Sequence, residues 1–297
     1  TDPPLRAQRR AHVTFDANPR LAIAVRRPPP PSKDDFVFDV LEVLHAEQAR
    51  TLPPDDPEVA WAVAARSPEL ERARQAVVLH RDAELLVLDK PAGLPVHPSA
   101  RYHRHTLTAL MRERMGVGHG WEMAHRLDRE TSGVLIFGRH AGSATTLKRA
   151  FIARAVEKRY WALCTGCIEG HVRIDMPLGP ALGSAIRIKM GPRAPGDGGV
   201  AAVTEVVPLA RGSFRGAPIT LIEARPETGR QHQIRVHLTA IGHPLLGDKL
   251  YGLDESRFLA VVDGERGGES TPPARALAEL EAELGLARHA LHAVSLA

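Results

Sequence analysis

The sequence HRLDRETSG at residues 125–133 is followed at once by the apolar run VLIF at residues 134–137. A short, continuous apolar run bounded by turn residues predicts a buried strand. The Thr-Ser-Gly triplet that precedes this run predicts a tight turn, in which hydroxyl and backbone donors hold the loop. Asp128 is therefore expected in a loop that leads directly into a buried strand.

Asp128 lies between two arginines, Arg126 and Arg129, and nearby positive charge favours the ionised form of a carboxyl group. An ionised and positioned aspartate can act as a nucleophile toward an electrophilic carbon. The alternative is a structural Asp–Arg pair that closes the loop, and the spacing alone favours that alternative.

A second polar cluster, TGRQHQIRVH, occupies residues 228–237. Its spacing predicts a helix from near Arg230 to Ile241, with Gln231 and Arg235 one turn apart on one face. The beginning of this helix at Gly229 is compatible with phosphate binding. A helix surface that forms ordinary salt bridges is equally compatible with the pattern.

The remaining pattern from Val77 onward indicates short apolar strands interspersed with helices. Because strands and helices do not alternate strictly, the pattern favours the α+β class over a doubly wound sheet. Further helices are predicted at 106–115, 141–155 and 274–284, strands at 77–79, 85–88, 134–137, 160–164, 202–207 and 219–224, and polar loops at 191–199 and 264–273.

Five segments of the chain are distinctive together: LVLDKPAGLPVHPS at 86–99, HRLDRETSG at 125–133, KRYWALCTG at 158–166, ETGRQHQIRVHLTAIGHPLLGDKLYG at 227–252 and LHA at 291–293. In this order they resemble the motifs of the RluA family of pseudouridine synthases. The resemblance implies the pseudouridine synthase catalytic fold, an α+β fold with a mixed, largely antiparallel central sheet flanked by helices and loops.

The resemblance also implies an isomerase that needs no cofactor and acts on uridine within ribosomal or transfer RNA. In this family the aspartate of the HRLD motif is the essential catalytic carboxylate, which corresponds to Asp128. Attack on the sugar C1′ and proton removal at C2′ through a glycal intermediate are both compatible with these residues. A catalytically inactive RNA-binding or RNA-chaperone protein of the same fold is the alternative function.

The family motifs assign roles to four further residues. Tyr160 is expected to stack on the uracil and to help remove the C5 proton, and Arg235 is expected to pair with Asp128 and keep it ionised. Ile234 is expected to pack on the base. Arg126 is expected to probe the RNA where the target base has left its stack, as base flipping requires.

Three more residues of the same motifs are predicted to bind substrate. These are His125 and Thr131 in the Asp128 loop, and Arg230 at the expected start of the helix.

The net charge of +4 is unevenly distributed along the 297 residues. Residues 101–160 carry 12 basic and 5 acidic side chains, a net charge of +7, whereas both flanking segments are slightly acidic. A solvated helix surface and a binding site for a polyanion are about equally compatible with such a window. The resemblance shifts the balance toward RNA phosphate.

Two regions are predicted within the chain: residues 1–75 as an N-terminal extension and residues 76–297 as the catalytic domain. The extension contains the proline run at 28–31, which is expected to act as a linker, and two short helices. Two cysteines cannot form a disulfide scaffold, and no secretory signal is evident near the beginning of the sequence. These features favour the cytoplasm. The resemblance implies a monomer that binds RNA, and we expect neither membrane association nor an obligatory protein partner.

Two sets of residues resemble metal ligands, but we expect no metal site. Cys164, Cys167 and His171 offer three ligands and lack a fourth nearby in the sequence. His97, His103 and His105 lie in a basic stretch, where contact with RNA or plain exposure is the favoured interpretation.

Overall fold

The computed structural model describes residues 76–98, 106–115, 120–266 and 272–297, which divide into two compact units. The described part of the first unit extends to Arg159 and includes Ala293–Ala297, and the second unit is Tyr160–His292. The strands are β1 (Val77–Arg81), β2 (Leu85–Lys90), β3 (Glu122–Met123), β4 (Ser132–Gly138), β5 (Lys158–Thr165), β6 (Val172–Asp175), β7 (Leu178–Pro180), β8 (Met190–Pro192), β9 (Val203–Phe214), β10 (Ala217–Pro226) and β11 (Leu291–Leu296). The helices are α1 (Leu107–Met115), α2 (Ala141–Ile152), α3 (Gln233–Ala240), α4 (Glu255–Arg266) and α5 (Pro272–Leu284).

The first unit is a small sheet with the strand order β1-β2-β4-β11, and β3 also pairs with β4. Every residue of β2 and β4 is buried, which is consistent with the apolar runs LLVL and VLIF that these strands contain. Helix α2 covers this sheet through Leu147 and Phe151, which pack with Val134 and Ile136 of β4. Its N-terminus is closed by a capping box, in which His140 Nδ1 accepts the N–H of Ser143 at 3.3 Å.

The second unit contains the strand order β5-β10-β9-β6 and a separate hairpin of β7 and β8. Strands β9 and β10 form a long antiparallel pair, from Ala217 opposite Phe214 to Pro226 opposite Thr204. Short aliphatic side chains of β5, β10 and α3 share one buried cluster, which includes Ala162, Ile222 and Leu238. Helix α3 is therefore fixed by its apolar residues within this unit.

The α+β class and the largely antiparallel pairing are confirmed. The predicted strands at 77–79, 85–88, 134–137, 160–164 and 219–224 are all present, each longer than predicted. The strand predicted at 202–207 begins one residue later and continues to Phe214. The sequence did not predict this extension, because exposed and partly buried residues alternate there without a marked apolar pattern.

Helix α3 begins later than the sequence pattern predicts. It starts at Gln233 instead of near Arg230, because His232 has a φ of 55° and cannot lie within a right-handed helix. The polar loop predicted at 264–273 is wrong at both ends, since α4 extends to Arg266 and α5 begins at Pro272. Helix α4 was not predicted, because its mixed sequence ESRFLAVVDGER lacks a clear apolar stripe.

Several predictions concern residues outside those that the structure describes. They include the N-terminal extension at 1–75, His103 and His105, so the domain boundary at residue 75 stays a prediction. Among the helices that the structure describes, none has the length and hydrophobicity needed to cross a membrane.

Gly133 at the beginning of β4 provides a test of how tightly the first unit is packed. Its φ is 110°, and a Cβ atom there would lie 2.1 Å from the carbonyl oxygen of Ala293 in β11. We expect Gly133→Ala to lower the free energy of unfolding by at least about 2 kcal/mol, as measured by chemical denaturation.

Gly170→Ala is the matched control, because a Cβ at Gly170 meets nothing within 4 Å. This variant is expected to change stability by less than about 0.5 kcal/mol. Equal stability of the two variants would contradict the close approach of β4 and β11.

Candidate active site

The loop that carries Asp128 is anchored by a buried lysine. Lys90, at the end of β2, is 0% exposed, and its ammonium group donates to the carbonyl oxygens of Pro91 at 2.8 Å, Leu94 at 3.0 Å and Arg129 at 3.2 Å. The Arg129 carbonyl also accepts the N–H of Gly93 at 2.7 Å. The residue that follows Asp128 is therefore tied to the loop that follows β2.

Asp128 itself lies at the first position of a tight turn. Its carbonyl oxygen accepts the N–H of Thr131 at 3.1 Å, so the turn is formed by Asp128–Thr131. The turn was predicted at Thr131–Gly133, and that position is wrong, because Ser132 and Gly133 already lie within β4. Asp128 is partly exposed, while Leu127 and Thr131 on either side are buried and Arg126 is exposed. The turn therefore restrains the backbone at Asp128 and leaves this residue partly exposed.

His125 is held inside the first unit by its ring. Its Nε2 accepts the N–H of Ile136 at 3.3 Å, so the ring proton is assigned to Nδ1, and the ring stacks on Phe151 with centroids 4.7 Å apart. Burial, with a smaller contribution from the positive charge of Lys158, lowers the pKa of His125 to about 3. The imidazole is therefore neutral at physiological pH and supports the strand that follows Asp128.

The start of α3 is organised by Gln233, whose side chain is buried. Its Oε1 accepts the hydroxyl of Thr228 at 2.6 Å and the N–H of Arg230 at 3.0 Å, and its Nε2 donates to the carbonyl of Val203 at 2.8 Å. The Nε2 also donates to the hydroxyl oxygen of Thr204 at 3.0 Å. These bonds join the loop before α3 to strand β9.

Arg230 remains at the surface of this loop. Its side chain is exposed, and its Nε donates to the carbonyl of Ala201 at 3.0 Å. The backbone conformation that starts the helix at Gln233 places Arg230 before the first turn.

Arg235 of α3 forms a buried ion pair with Asp248. Arg235 Nε lies 2.7 Å from Asp248 Oδ2 and Arg235 Nη2 lies 2.9 Å from Asp248 Oδ1, and the two side chains are 8% and 0% exposed. Burial alone would raise the pKa of Asp248, but the Arg235 charge and hydrogen bonds outweigh burial and hold that pKa far below its usual range. Both members of the pair are therefore ionised.

Tyr160 and Ile234 belong to one apolar cluster of the second unit. Ile234 is buried in it, and the partly buried Tyr160 packs against it from β5, where it pairs with Ala224 of β10. An aromatic ring at the rim of an aliphatic cluster can stack on a planar base.

The structure therefore groups the predicted site residues in two sets. His125, Arg126, Asp128 and Thr131 share the loop between β3 and β4, and Tyr160, Arg230, Ile234 and Arg235 lie in the second unit. The expected pairing of Arg235 with Asp128 joins residues of different units and stays a prediction, as do the individual roles of these residues.

Three functional candidates were missed by the sequence analysis: Lys90, Gln233 and Asp248. Each is a polar residue within an otherwise buried stretch, and such a residue requires a specific partner. Asp248 follows the apolar Leu245 and Leu246, and that contrast could have indicated a buried ion pair.

The cysteine cluster has an ordinary structural setting. Cys164 is buried, its thiol donates to the carbonyl of Thr220 at 3.4 Å, and burial raises the pKa of this thiol to about 12. Cys167 is exposed. Within the described residues, no three His, Cys, Asp or Glu side chains are grouped to hold a metal ion.

Comparison with known proteins gives a consistent match. Residues 84–240 match the model of the RNA pseudouridylate synthase family. The chain is 37% identical over 197 residues to ribosomal large subunit pseudouridine synthase D of Zymomonas mobilis, covering 62% of this chain and 58% of that protein. It is 34% identical over 195 residues to tRNA pseudouridine synthase C of Haemophilus ducreyi, covering 63% of this chain and 79% of that protein.

Among solved structures, the human RNA pseudouridylate synthase domain containing 1 is similar. Its TM-score is 0.55 at 28% identity, and the match covers 74% of this chain and 77% of that one. The chain thus spans a little under three fifths of the Zymomonas relative and a larger share of the human protein.

The low pKa of His125 predicts a pH dependence of stability. The unfolded chain takes up a proton at this residue below its ordinary pKa of 6.5, whereas the folded chain does so only near 3. Between these values the folded state therefore loses stability as the pH falls, by about 1.4 kcal/mol per pH unit from this group.

Chemical denaturation of the wild type and of His125→Phe between about pH 5 and pH 7.5 measures this effect. The variant keeps a ring against Phe151 and removes the titration, so its stability relative to the wild type should improve as the pH falls. The pKa of His237 is also lowered, mainly by burial, but that residue is common to both proteins and cancels in the difference. A constant difference across this pH range would contradict the prediction.

Proposed function

Because the chain belongs to the RNA pseudouridylate synthase family, we propose that it isomerises uridine to pseudouridine within ribosomal or transfer RNA. The observation that carries the proposal is the family match at residues 84–240, which includes Asp128, Tyr160 and Arg235. The two relatives named above, one for ribosomal and one for transfer RNA, support these two substrate classes.

The proposed reaction breaks one glycosidic bond and forms another. The N1–C1′ bond of uridine is cleaved, the uracil turns over, and C5 bonds to C1′; C5 then loses its proton to solvent and N1 takes up a proton. The product is an isomer of the substrate, so the reaction consumes no co-reactant, and we propose that it uses no cofactor. The target base leaves its stack first, since an enclosed base cannot otherwise meet a catalytic side chain.

Asp128 is the proposed catalytic carboxylate. Two routes are consistent with it: attack of the carboxylate on C1′, or removal of the C2′ proton to give a glycal. Both routes require an ionised carboxylate in a fixed position near the ribose. The partial exposure of Asp128 and the Lys90 contacts to the neighbouring carbonyl of Arg129 support this role.

Tyr160 and Ile234 are proposed to hold the flipped uracil. Their common apolar cluster supports this assignment, since a base loses its stacking partners on flipping and regains contact with a ring and an aliphatic side chain. The hydroxyl of Tyr160 is proposed to assist removal of the C5 proton.

Arg126 and Arg230 are proposed to contact the RNA directly. Both side chains are exposed, and Arg126 belongs to the segment with a net charge of +7. For His125, its ring contacts within the first unit, and for Thr131, its burial and its bond to Asp128, support an indirect part in substrate binding, in which they hold the Asp128 loop in shape. We further propose that the protein acts as a cytoplasmic monomer without an obligatory protein partner.

Asp128→Asn is expected to abolish turnover while leaving the fold intact, because the amide is isosteric and cannot act as nucleophile or base. The measurement is release of tritium from RNA transcripts labelled at uridine C5, and we expect a loss of at least about 10⁴-fold.

The exposed Asp197 provides the matched control, and Asp197→Asn should retain full activity. Turnover at the wild-type rate by Asp128→Asn would overturn the assignment of the catalytic residue. A wild-type protein that binds these transcripts and releases no tritium would instead be the RNA-binding alternative.

Tyr160→Phe is expected to lower turnover by about 10²- to 10⁴-fold, because the ring remains for stacking while the hydroxyl for proton transfer is lost. RNA affinity, measured by filter binding, should change little. Trp161→Phe at the next position of β5 is the control, since neighbouring strand residues point to opposite faces. Unchanged turnover in Tyr160→Phe would rule out a role for the hydroxyl.

A further inference from the structure

We propose that Asp248 is a positioning residue for Arg235, and that it determines the direction in which the third guanidinium nitrogen, Nη1, points. The inference rests on the proposed function and on the pairing of Arg235 with the catalytic carboxylate that the family resemblance predicts. It concerns how the second unit prepares this arginine, and four observations within that unit carry it.

The first observation is the geometry of the ion pair. Asp248 binds Nε and Nη2 of Arg235 side-on, with one carboxylate oxygen for each nitrogen, at 2.7 and 2.9 Å. Because a guanidinium group is planar, two parallel bonds along one edge fix both its plane and its rotation. The direction of Nη1, on the opposite side of the group, then follows from the position of Asp248.

The second observation is that Asp248 cannot rotate to follow the arginine. Its Oδ1 also accepts the backbone N–H groups of Leu250 at 2.9 Å and Tyr251 at 3.1 Å. The carboxylate is 0% exposed and is bound to the turn that contains it. Asp248 is therefore the fixed member of the pair, and the long side chain of Arg235 adapts to it.

The third observation is an aromatic ring beside the guanidinium. The Arg235 Cζ atom lies 5.0 Å from the centroid of the Tyr251 ring, within the range of a cation–π contact. Asp248 thus restrains the edge of the guanidinium group, and Tyr251 restrains its face.

The fourth observation is that Tyr251 is itself held. Its hydroxyl oxygen accepts the N–H of Met190 at 2.9 Å and lies 2.9 Å from Nδ1 of His232, the residue that starts α3 in a left-handed conformation. The restraint on Arg235 thus extends to β8 and to the first turn of its own helix.

A purely structural ion pair would stabilise the second unit without affecting the reaction itself. A positioning pair must also change the rate of the reacting complex while leaving RNA binding unaltered. The two interpretations therefore differ in whether replacing Asp248 changes kcat while KM stays constant. They also differ in whether the effect of replacing Asp248 requires the guanidinium group of Arg235.

The first experiment measures kcat and KM for tritium release with Asp248→Asn, at a temperature well below the unfolding transition. The amide cannot accept two guanidinium N–H bonds side-on, so the arginine should shift by a fraction of an ångström or more. We expect kcat to fall by about 10²-fold with KM within about threefold of the wild-type value.

Asp254→Asn is the matched control, because Asp254 is exposed, caps the start of α4 through Ser256 at 2.9 Å, and has no described contact with Arg235. It should retain the wild-type kcat. A wild-type kcat in Asp248→Asn would overturn the proposal.

A double-mutant cycle with Arg235→Lys tests whether Asp248 acts through the arginine. A lysine cannot form the side-on pair, so adding Asp248→Asn to it should lower kcat by less than about threefold. A further loss as large as that in the wild-type background would overturn the proposal.

If Asp248→Asn does not fold, Asp248→Glu serves the same purpose. It keeps the ion pair but moves the carboxylate by one methylene, so kcat should fall while the protein stays folded. A fully active Asp248→Glu would overturn the proposal.

A spectroscopic measurement separates this inference from the proposed function. The Nε–H of Arg235 is buried and bound to Asp248, so the wild type should show a slowly exchanging arginine Nε–H resonance that disappears in Arg235→Lys. In Asp248→Asn this resonance should shift and exchange faster. An unchanged resonance would overturn the positioning role, whereas absence of tritium release by the wild type would overturn the proposed function alone.

Discussion

In the first unit, the ammonium group of Lys90 is the contact on which the position of Asp128 depends. Moving an ammonium group out of water costs several kcal/mol of free energy unless its N–H donors find acceptors. Here three backbone carbonyls accept hydrogen bonds from it. Two of these carbonyls lie just after β2 and the third is that of Arg129, next to Asp128. Lys90 can be buried only if the loop after β2 and the Asp128 loop both keep the conformation that brings these carbonyls to it. The contact therefore gives two loops without regular secondary structure a defined shape.

The second unit is also organised by buried polar contacts, here an ion pair and a buried amide. Arg235 and Asp248 are both buried and ionised, and the amide of Gln233 bridges the loop before α3 to β9. Buried polar contacts of this kind add little net stability compared with apolar packing, but breaking one is costly. What these contacts provide is one defined arrangement of the groups that they join. In each unit, the candidate residues lie beside such a contact, while apolar side chains provide most of the packing.

Local patterns in the sequence predict the parts of this fold that local physics determines. The apolar runs of β2 and β4 and the start of α2 at Ala141 follow from neighbouring residues. The end of α2 was predicted at Ala155 and lies at Ile152, because Arg154 has a φ of 56° and cannot continue a right-handed helix. Contacts between distant residues do not follow in this way. Nothing in the local pattern connects Lys90 with Arg129, or His232, which has a left-handed backbone, with Tyr251, which its ring contacts 19 residues later. The family resemblance pointed to Asp128 and Arg235, whereas the structure was needed to find the groups that hold them.

The pairing order of the first unit also has a consequence for synthesis on the ribosome. Strand β4, which follows the Asp128 loop, lies beside β11, and the whole of residues 160–292 is translated between the two parts of this unit. Strands β5 to β10 of the second unit are close in sequence and can pair as they emerge. The first unit must wait for β11, and in the meantime β3 covers that edge of β4 only at Phe137 and Gly138. Such non-local pairing is slow, and an open apolar strand edge is prone to aggregation. Chaperone protection of the nascent chain would thus matter most for the first unit.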